Sequence, residues 1–113
     1  RLIILNSRQS LNSSMVKWTD HAKSQLRHIH DYIAQESPLY AKRVTQALVS
    51  CVTGVDQLPH IGRMVPELNE DSVRELSLYS YRILYEIQPD QIHILAVIHK
   101  RRDLQPNDIP RSL

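Results

Sequence analysis

Cysteine occurs once and glycine twice in this 113-residue chain, and each scarcity removes a class of protein. A lone Cys51 excludes an internal disulfide framework and a cysteine-cluster zinc site, and it points to a reducing, cytoplasmic compartment. Two glycines and six prolines exclude collagen-like chains and flexible repeats. No apolar run approaches the roughly 20 residues that span a bilayer. The run Leu2 to Leu5 is also shorter than the ~7–15 residues of a signal-peptide core, and no small-x-small cleavage site follows it. What remains is ordinary globular material, 42% hydrophobic and 23% charged, enough for one domain.

Charge is nearly balanced, with 14 basic and 12 acidic residues, which is too little bias to mark a nucleic-acid binder. Its distribution says more. Glu67, Glu70, Asp71 and Glu75 gather the acids, whereas Lys100, Arg101 and Arg102 form the one basic run. A basic end on a near-neutral body suggests an anionic contact, against the plainer reading of a solvated strand end.

Residues 6–14 are polar and read as linker, so the folded domain is expected to begin near Met15. Residues 1–14 are then an N-terminal extension, either disordered or adding an edge strand. Val16-Lys17-Trp18 is β-prone. Thr19 or Asp20 can cap a helix over roughly 20–36, whose apolar face is Ala22, Leu26, Ile29 and Ile33. Pro38 ends that helix and suits the first position of the next, with Ser37 as its cap. The second stripe, Ala41, Val44, Leu48, Cys51, Val55 and Leu58, predicts an antiparallel helical hairpin, ended at Pro59 and weakened at Gly54.

From there the period changes to two. Arg63 to Val65 reads as a short strand and Ser72 to Leu78 as another. The strongest strands are Tyr81 to Gln88 and Gln91 to His99, joined at the turn pair Pro89-Asp90. In the last strand both alternating sets are apolar, as expected of a central strand covered on both faces. One face would take the helices, and the other would be left wanting a partner. Residues 105–113 read as an irregular tail.

Single residues have plain readings. His28 and His30 point to different sides of a helix, and His21 lies two turns from His28, so no metal site is expected. No cofactor is expected either. Cys51 reads as a small core residue and not a nucleophile. Tyr85 reads as packing, while Tyr79 and Tyr81 near a turn are open to stacking on a base or a partner side chain. Arg74 and Arg82 can pair with Glu75, Glu86 or Glu67 across the sheet.

The order of helical hairpin and meander, with Arg74-Glu75-Leu76, Tyr81-Arg82-Ile83-Leu84-Tyr85-Glu86-Ile87 and Ile94 through Leu104, resembles the ParE/RelE superfamily of toxins from type II toxin–antitoxin modules. With the Trp18-Thr19-Asp20-His21-Ala22 start, the resemblance covers residues 15–104. It implies a single α+β domain of order β-α-α-β-β-β, a helical hairpin on a small antiparallel sheet. It further implies growth arrest or plasmid stabilisation, a cognate antitoxin protein as partner, and a homodimer or toxin–antitoxin hetero-oligomer. RelE-like members cut mRNA on the ribosome, whereas ParE-like members inhibit DNA gyrase without cutting. In the RelE-like pattern Arg82 matches one arginine and Arg101 or Arg102 another. The lysine positions fall instead on about Val73 and Glu75, and no tyrosine follows Tyr85. That leaves Arg82, His99 and Arg101 as the alternative catalytic set, lacking an evident acid–base pair beyond His99. The expectation is therefore a ParE-like stoichiometric inhibitor whose target-binding edge is Arg82, Lys100, Arg101 and Arg102. The alternatives are an mRNA endonuclease and an inactive antitoxin-binding relic.

Overall fold

The computed structural model describes residues 15–113, so the extension expected over 1–14 lies outside the described residues. Strand β1 (Val16–Trp18) leads into helix α1 (Asp20–Ala34) through Thr19, which serves both elements. Thr19 Oγ1 accepts the Ala22 N–H at 3.1 Å, satisfying one of the orphan donors of the first helical turn. The same hydroxyl donates to the Ile94 carbonyl at 2.9 Å, and the Thr19 N–H donates to that carbonyl at 3.0 Å. Helix α1 is thereby fixed to the sheet at its first residue. It lays Ala22, Leu26, Ile29 and Ile33 on the core, as the 4-3-4 spacing predicts.

Ser37 caps helix α2 (Pro38–Thr53), its Oγ accepting the Tyr40 N–H at 3.1 Å, with Pro38 in the first turn. The buried stripe is Ala41, Val44, Leu48 and Val52. It departs from the expected stripe at Cys51, because the step from Leu48 is four residues and not three. Cys51 is only half-buried, and that burial pushes its thiol pKa up, which keeps it protonated. The helix ends at Gly54, and two 3₁₀ turns follow at Val55–Gln57 and Pro59–Ile61. Val55 still reaches the core, but Leu58 is exposed because the chain has left the helix.

Strands β2 (Arg63–Met64), β3 (Val73–Leu78), β4 (Tyr81–Ile87) and β5 (Ile92–His99) form an antiparallel meander. The full sheet order is β1-β5-β4-β3-β2. The expected α+β fold is present. The two-residue β2 at one edge is the short strand read over Arg63 to Val65, one more than the order β-α-α-β-β-β counts. The difference lies at β1, which runs parallel to β5, with Val16 opposite Ile92 and Trp18 opposite Ile94, so the sheet is mixed. The meander leaves one edge of β5 without a partner, and β1 covers its first half. Beyond Trp18, the side chain of Gln25 on α1 accepts the Val97 N–H at 2.8 Å in place of a neighbouring strand.

Both faces of β4 and β5 are buried, as their composition predicts. On the helix side Ile83, Tyr85, Ile94 and Val97 meet Ala22, Val44, Leu48 and Val52. The opposite face was expected to stay open for a partner, and here the structure corrects the expectation. Leu84, Leu95, Ala96 and Ile98 are covered by Val65 and Val73 and by the chain's own C-terminal segment through Leu104 and Ile109. Each Leu, Ile or Val side chain so withdrawn from water contributes about 1.5–3 kcal/mol, an upper estimate for the more compact unfolded states. The segment is irregular apart from a 3₁₀ turn at Pro106–Asp108. Arg111 ties it down by donating to both oxygens of Glu70, at 3.0 and 2.6 Å, and to Glu86 at 3.1 Å. Among the described residues no helix is long and apolar enough to cross a membrane.

Candidate functional site

Two turns meet at one end of the sheet, the β3–β4 turn at Tyr79–Ser80 and the turn that follows β5 at Lys100–Arg102. The Lys100 N–H donates to the Ser80 carbonyl at 2.8 Å, joining them. The Arg102 N–H donates to the His99 carbonyl at 3.0 Å, and the Arg101 N–H to His99 Nδ1 at 3.1 Å. His99 is thus an acceptor at Nδ1, which places the neutral ring's proton on Nε2. Its ring also meets Tyr81 edge to face, centroids 5.7 Å apart. His99 shapes the basic turn. Lys100, Arg101 and Arg102 are all exposed, and no carboxylate among the described residues pairs with any of them.

Arg82 is placed differently. It is 7% exposed and lies between two carboxylates. Nε donates to Glu75 Oε1 at 2.8 Å, while Nη1 and Nη2 form a fork onto the two oxygens of Glu67 at 2.9 and 2.8 Å. Glu75, 2% exposed, also receives the Nε of Arg63 at 2.6 Å through its other oxygen. Strand register brings these groups together. Arg63 lies directly opposite Glu75, and Ser77, two residues along the same face from Glu75, lies opposite Arg82. Two arginines and two glutamates form a neutral cluster. Within it the hydrogen bond from Arg82 holds the Glu67 carboxyl below its usual range, and Glu67 in turn raises Arg82 above its own.

Two further arginines, one on β3 and one in the C-terminal segment, are engaged as well. Arg74 donates from Nε to the Asp71 carbonyl at 2.9 Å and pairs with the Asp71 carboxylate, and Arg111 holds Glu70. The acidic gathering seen in the sequence is thus consumed by arginines of strands β2 to β4 and of the C-terminal segment. The cations after β5 are not part of that balance.

The four expected target-binding residues are close together but unlike one another. A cleft of about 330 Å³ is lined by Arg63, Glu67, Ser77, Arg82 and Lys100, so Lys100 is the member of the basic run that reaches Arg82. Arg102 lines a groove on the helix side of the sheet instead. The alternative catalytic set is divided in the same way. Arg82 lies opposite Ile98 and His99 opposite Tyr81, and successive side chains of a strand point to opposite faces. Arg82 therefore serves the tail side and His99 the helix side. At the two positions where a lysine pair was sought, Val73 is buried in the core and Glu75 is locked in the cluster. Among the described residues no three His, Cys, Asp or Glu side chains converge in a way that could hold a metal ion.

Residues that sequence reasoning did not single out are Tyr32 and Tyr40, exposed by 74% and 56% beside Tyr79 and Tyr81. They fall on the polar faces of their helices, where periodicity carries no signal.

Residues 16–104 match the family model described as the ParE toxin of the type II toxin–antitoxin system parDE. A curated relative, Toxin RelE2 of Caulobacter vibrioides, is 32% identical over 90 residues, covering 79% of this chain and 98% of the relative. A solved structure described as a chromosomal ParDE TA system from P. aeruginosa superposes with a TM-score of 0.64 at 25% identity, covering 78% of this chain and 97% of that one.

Proposed function

The chain belongs to the ParE toxin family of type II toxin–antitoxin systems, and from that membership we propose that it is a stoichiometric inhibitor of DNA gyrase, acting in the cytoplasm and neutralised by a cognate antitoxin protein. The observation that carries this reading is the contrast between two sets of cations. Arg82, Arg63, Arg74 and Arg111 are each bound by carboxylates, whereas Lys100, Arg101 and Arg102 stand exposed, with no carboxylate partner among the described residues. An anionic surface, on gyrase or on gyrase-bound DNA, meets the exposed run without first displacing an acid. Arg82 enters the proposal as the residue that holds Glu67 and Glu75 beneath Lys100, not as a free contact.

Metal-free RNA cleavage asks for more. It needs a base for the 2′-hydroxyl, cations on the phosphate and an acid for the leaving oxygen, all on one side of the strand. Here the guanidinium that would bind phosphate is covered by two carboxylates, and His99, next to the basic run, faces the other side of the sheet and accepts a backbone N–H. These placements support inhibition over cleavage.

Purified gyrase supercoiling relaxed plasmid tests the reading directly. Supercoiling should stop at near-equimolar toxin and recover when antitoxin is added. Replacing Lys100, Arg101 and Arg102 together by alanine should abolish inhibition without unfolding the chain, since all three are exposed. Ribosome-dependent transcript cutting by the same preparation would instead support the endonuclease reading. An absence of growth arrest on induction would support a relic that only binds antitoxin.

A further inference from the structure

On the helix side of the sheet end, a cavity of about 550 Å³ lies between the two helices and the β3–β4 turn. A second, of about 410 Å³, continues from it along β5. They share His28, Ile29, Tyr81 and His99, and so form one groove. Four tyrosines, Tyr32, Tyr40, Tyr79 and Tyr81, line the wider part over a floor that includes Ile33 and Val44. The phenols of Tyr32 and Tyr40 lie close enough to Tyr81 to add to the rise that burial imposes on its pKa. Arg102 lines the smaller part. No aspartate or glutamate lines either part.

Tyr79 carries an independent signal. It occupies the first position of a two-residue hairpin turn with φ 54°, where the left-handed backbone normally calls for glycine or asparagine. A tyrosine there costs on the order of 1 kcal/mol or more and leaves its ring 56% exposed, so neither backbone preference nor burial accounts for it. What the residue does is place an aromatic face at the mouth of the groove.

We propose that this groove binds single-stranded nucleic acid, with bases stacked on Tyr79, Tyr32 and Tyr40 and the backbone phosphates led out past His28 and His99 to Arg102. Three features carry it together: aromatic faces left in solvent, a wall without carboxylates, and a lining cation, Arg102, that no carboxylate among the described residues pairs. Stacking platforms joined to a cationic track are the physical means by which proteins hold unpaired bases with little sequence preference. A duplex keeps its bases within the stack and presents only phosphates, so it would engage the cations alone. The groove makes no use of the Arg82 cleft on the other face. Its failure would leave the gyrase reading standing, and the reverse holds too.

Fluorescence anisotropy of a short labelled oligothymidylate, titrated with the full chain at low salt, tests the proposal. The single strand should bind at least about tenfold more tightly than a duplex of equal length. Tyr79→Gly relieves the turn while removing the ring, so its thermal midpoint should hold or rise as affinity falls about fivefold or more. The double variant Tyr32→Ala, Tyr40→Ala should lose about tenfold or more with circular dichroism unchanged, both side chains being exposed. The proposal is overturned by absent binding at low salt, by equal affinity for the duplex, or by tyrosine variants that bind as the parent does. It is equally overturned if an acidic, tyrosine-containing peptide occupies the groove more tightly than the oligonucleotide, which would assign the surface to a protein partner.

Discussion

Arg82 donates to Glu75 across neighbouring strands, Nε to Oε1 at 2.8 Å, with both residues more than nine-tenths withdrawn from solvent. A buried pair of this kind adds little compared with an apolar pair of the same shape, but removing one partner leaves the other buried with one counter-ion fewer, Arg63 alone on Glu75 or Glu67 alone on Arg82. Arg82→Ala should therefore destabilise the chain in urea unfolding by less than the ~3–5 kcal/mol of a wholly unmatched buried charge, and Glu75→Ala by a similar amount, with the double variant short of their sum. Additive losses would show that the two side chains do not depend on each other. It follows that loss of toxicity in Arg82→Ala does not by itself make Arg82 a contact residue. A thermal melt must accompany it.

Tyr85 is fully buried on the helix side, and its hydroxyl donates to the Pro59 carbonyl at 2.6 Å while accepting the Gly62 N–H at 3.0 Å. A Cβ built on Gly62 would stand 2.6 Å from the Glu75 carbonyl oxygen and 2.8 Å from the Tyr85 hydroxyl. Gly62→Ala should lower stability by about 1–3 kcal/mol, since the obstacle includes backbone that cannot swing aside. Tyr85→Phe keeps the ring and loses the two hydrogen bonds, at about 1–3 kcal/mol for the groups left unmatched. Urea midpoints measure both, and an unchanged midpoint in Gly62→Ala would contradict the packing described.

The C-terminal segment closes the second sheet face through Leu104 and Ile109. Ile109→Asp places a charge on that face and should expose Leu84, Ala96 and Ile98. The expected readouts are increased binding of a hydrophobic dye and a lower melting temperature. Arg111→Ala, which cuts only the partly exposed pairs with Glu70 and Glu86, should shift the melt much less.

Acid should reveal the clamp on Arg82. Glu67 titrates below its usual value in the folded chain because Arg82 hydrogen-bonds it, and Arg111 does the same for Glu70. In the unfolded chain these groups return to about 4.3. A carboxyl whose folded pKa is depressed contributes its stabilisation above the unfolded value and loses it as pH falls through the folded one. Between those values the unfolded state binds more protons, so stability should fall as pH drops from about 5 toward 3. Glu67→Gln should flatten that fall, and a variant with the same acid slope as the parent would contradict the assignment.

Local features of this fold were legible because they are written in adjacent residues. The Thr19 and Ser37 caps, Pro38, the two-residue period of β3 to β5 and the double-sided burial of β5 all follow from short-range spacing. Pairings across long separations left weaker traces. Nothing near Val16 says that it will lie parallel to Ile92, and the mixed sheet was missed for that reason. Two widely spaced apolar residues, Leu104 and Ile109, anchor the segment that covers the second face, while Leu113 stays exposed, and spacing cannot tell such a segment from a solvated tail. Cys51 and Val52 show the limit of a helical period, where a step of three or four decides which is buried. At the candidate site the acids able to engage Arg82 were readable as types. Their simultaneous hold on it depends on how Glu67 folds back over β4, which composition does not encode.

The exposed cations Lys100, Arg101 and Arg102 carry the proposed inhibition, and the decisive measurement is the yield of supercoiled plasmid from purified gyrase across a toxin titration, with and without their joint replacement by alanine. The predicted result is arrest near one toxin per gyrase by the parent chain, full supercoiling with the folded triple variant, and intact transcripts on translating ribosomes exposed to either. Gyrase left active at excess parent toxin, or inhibited equally by the triple variant, would contradict it.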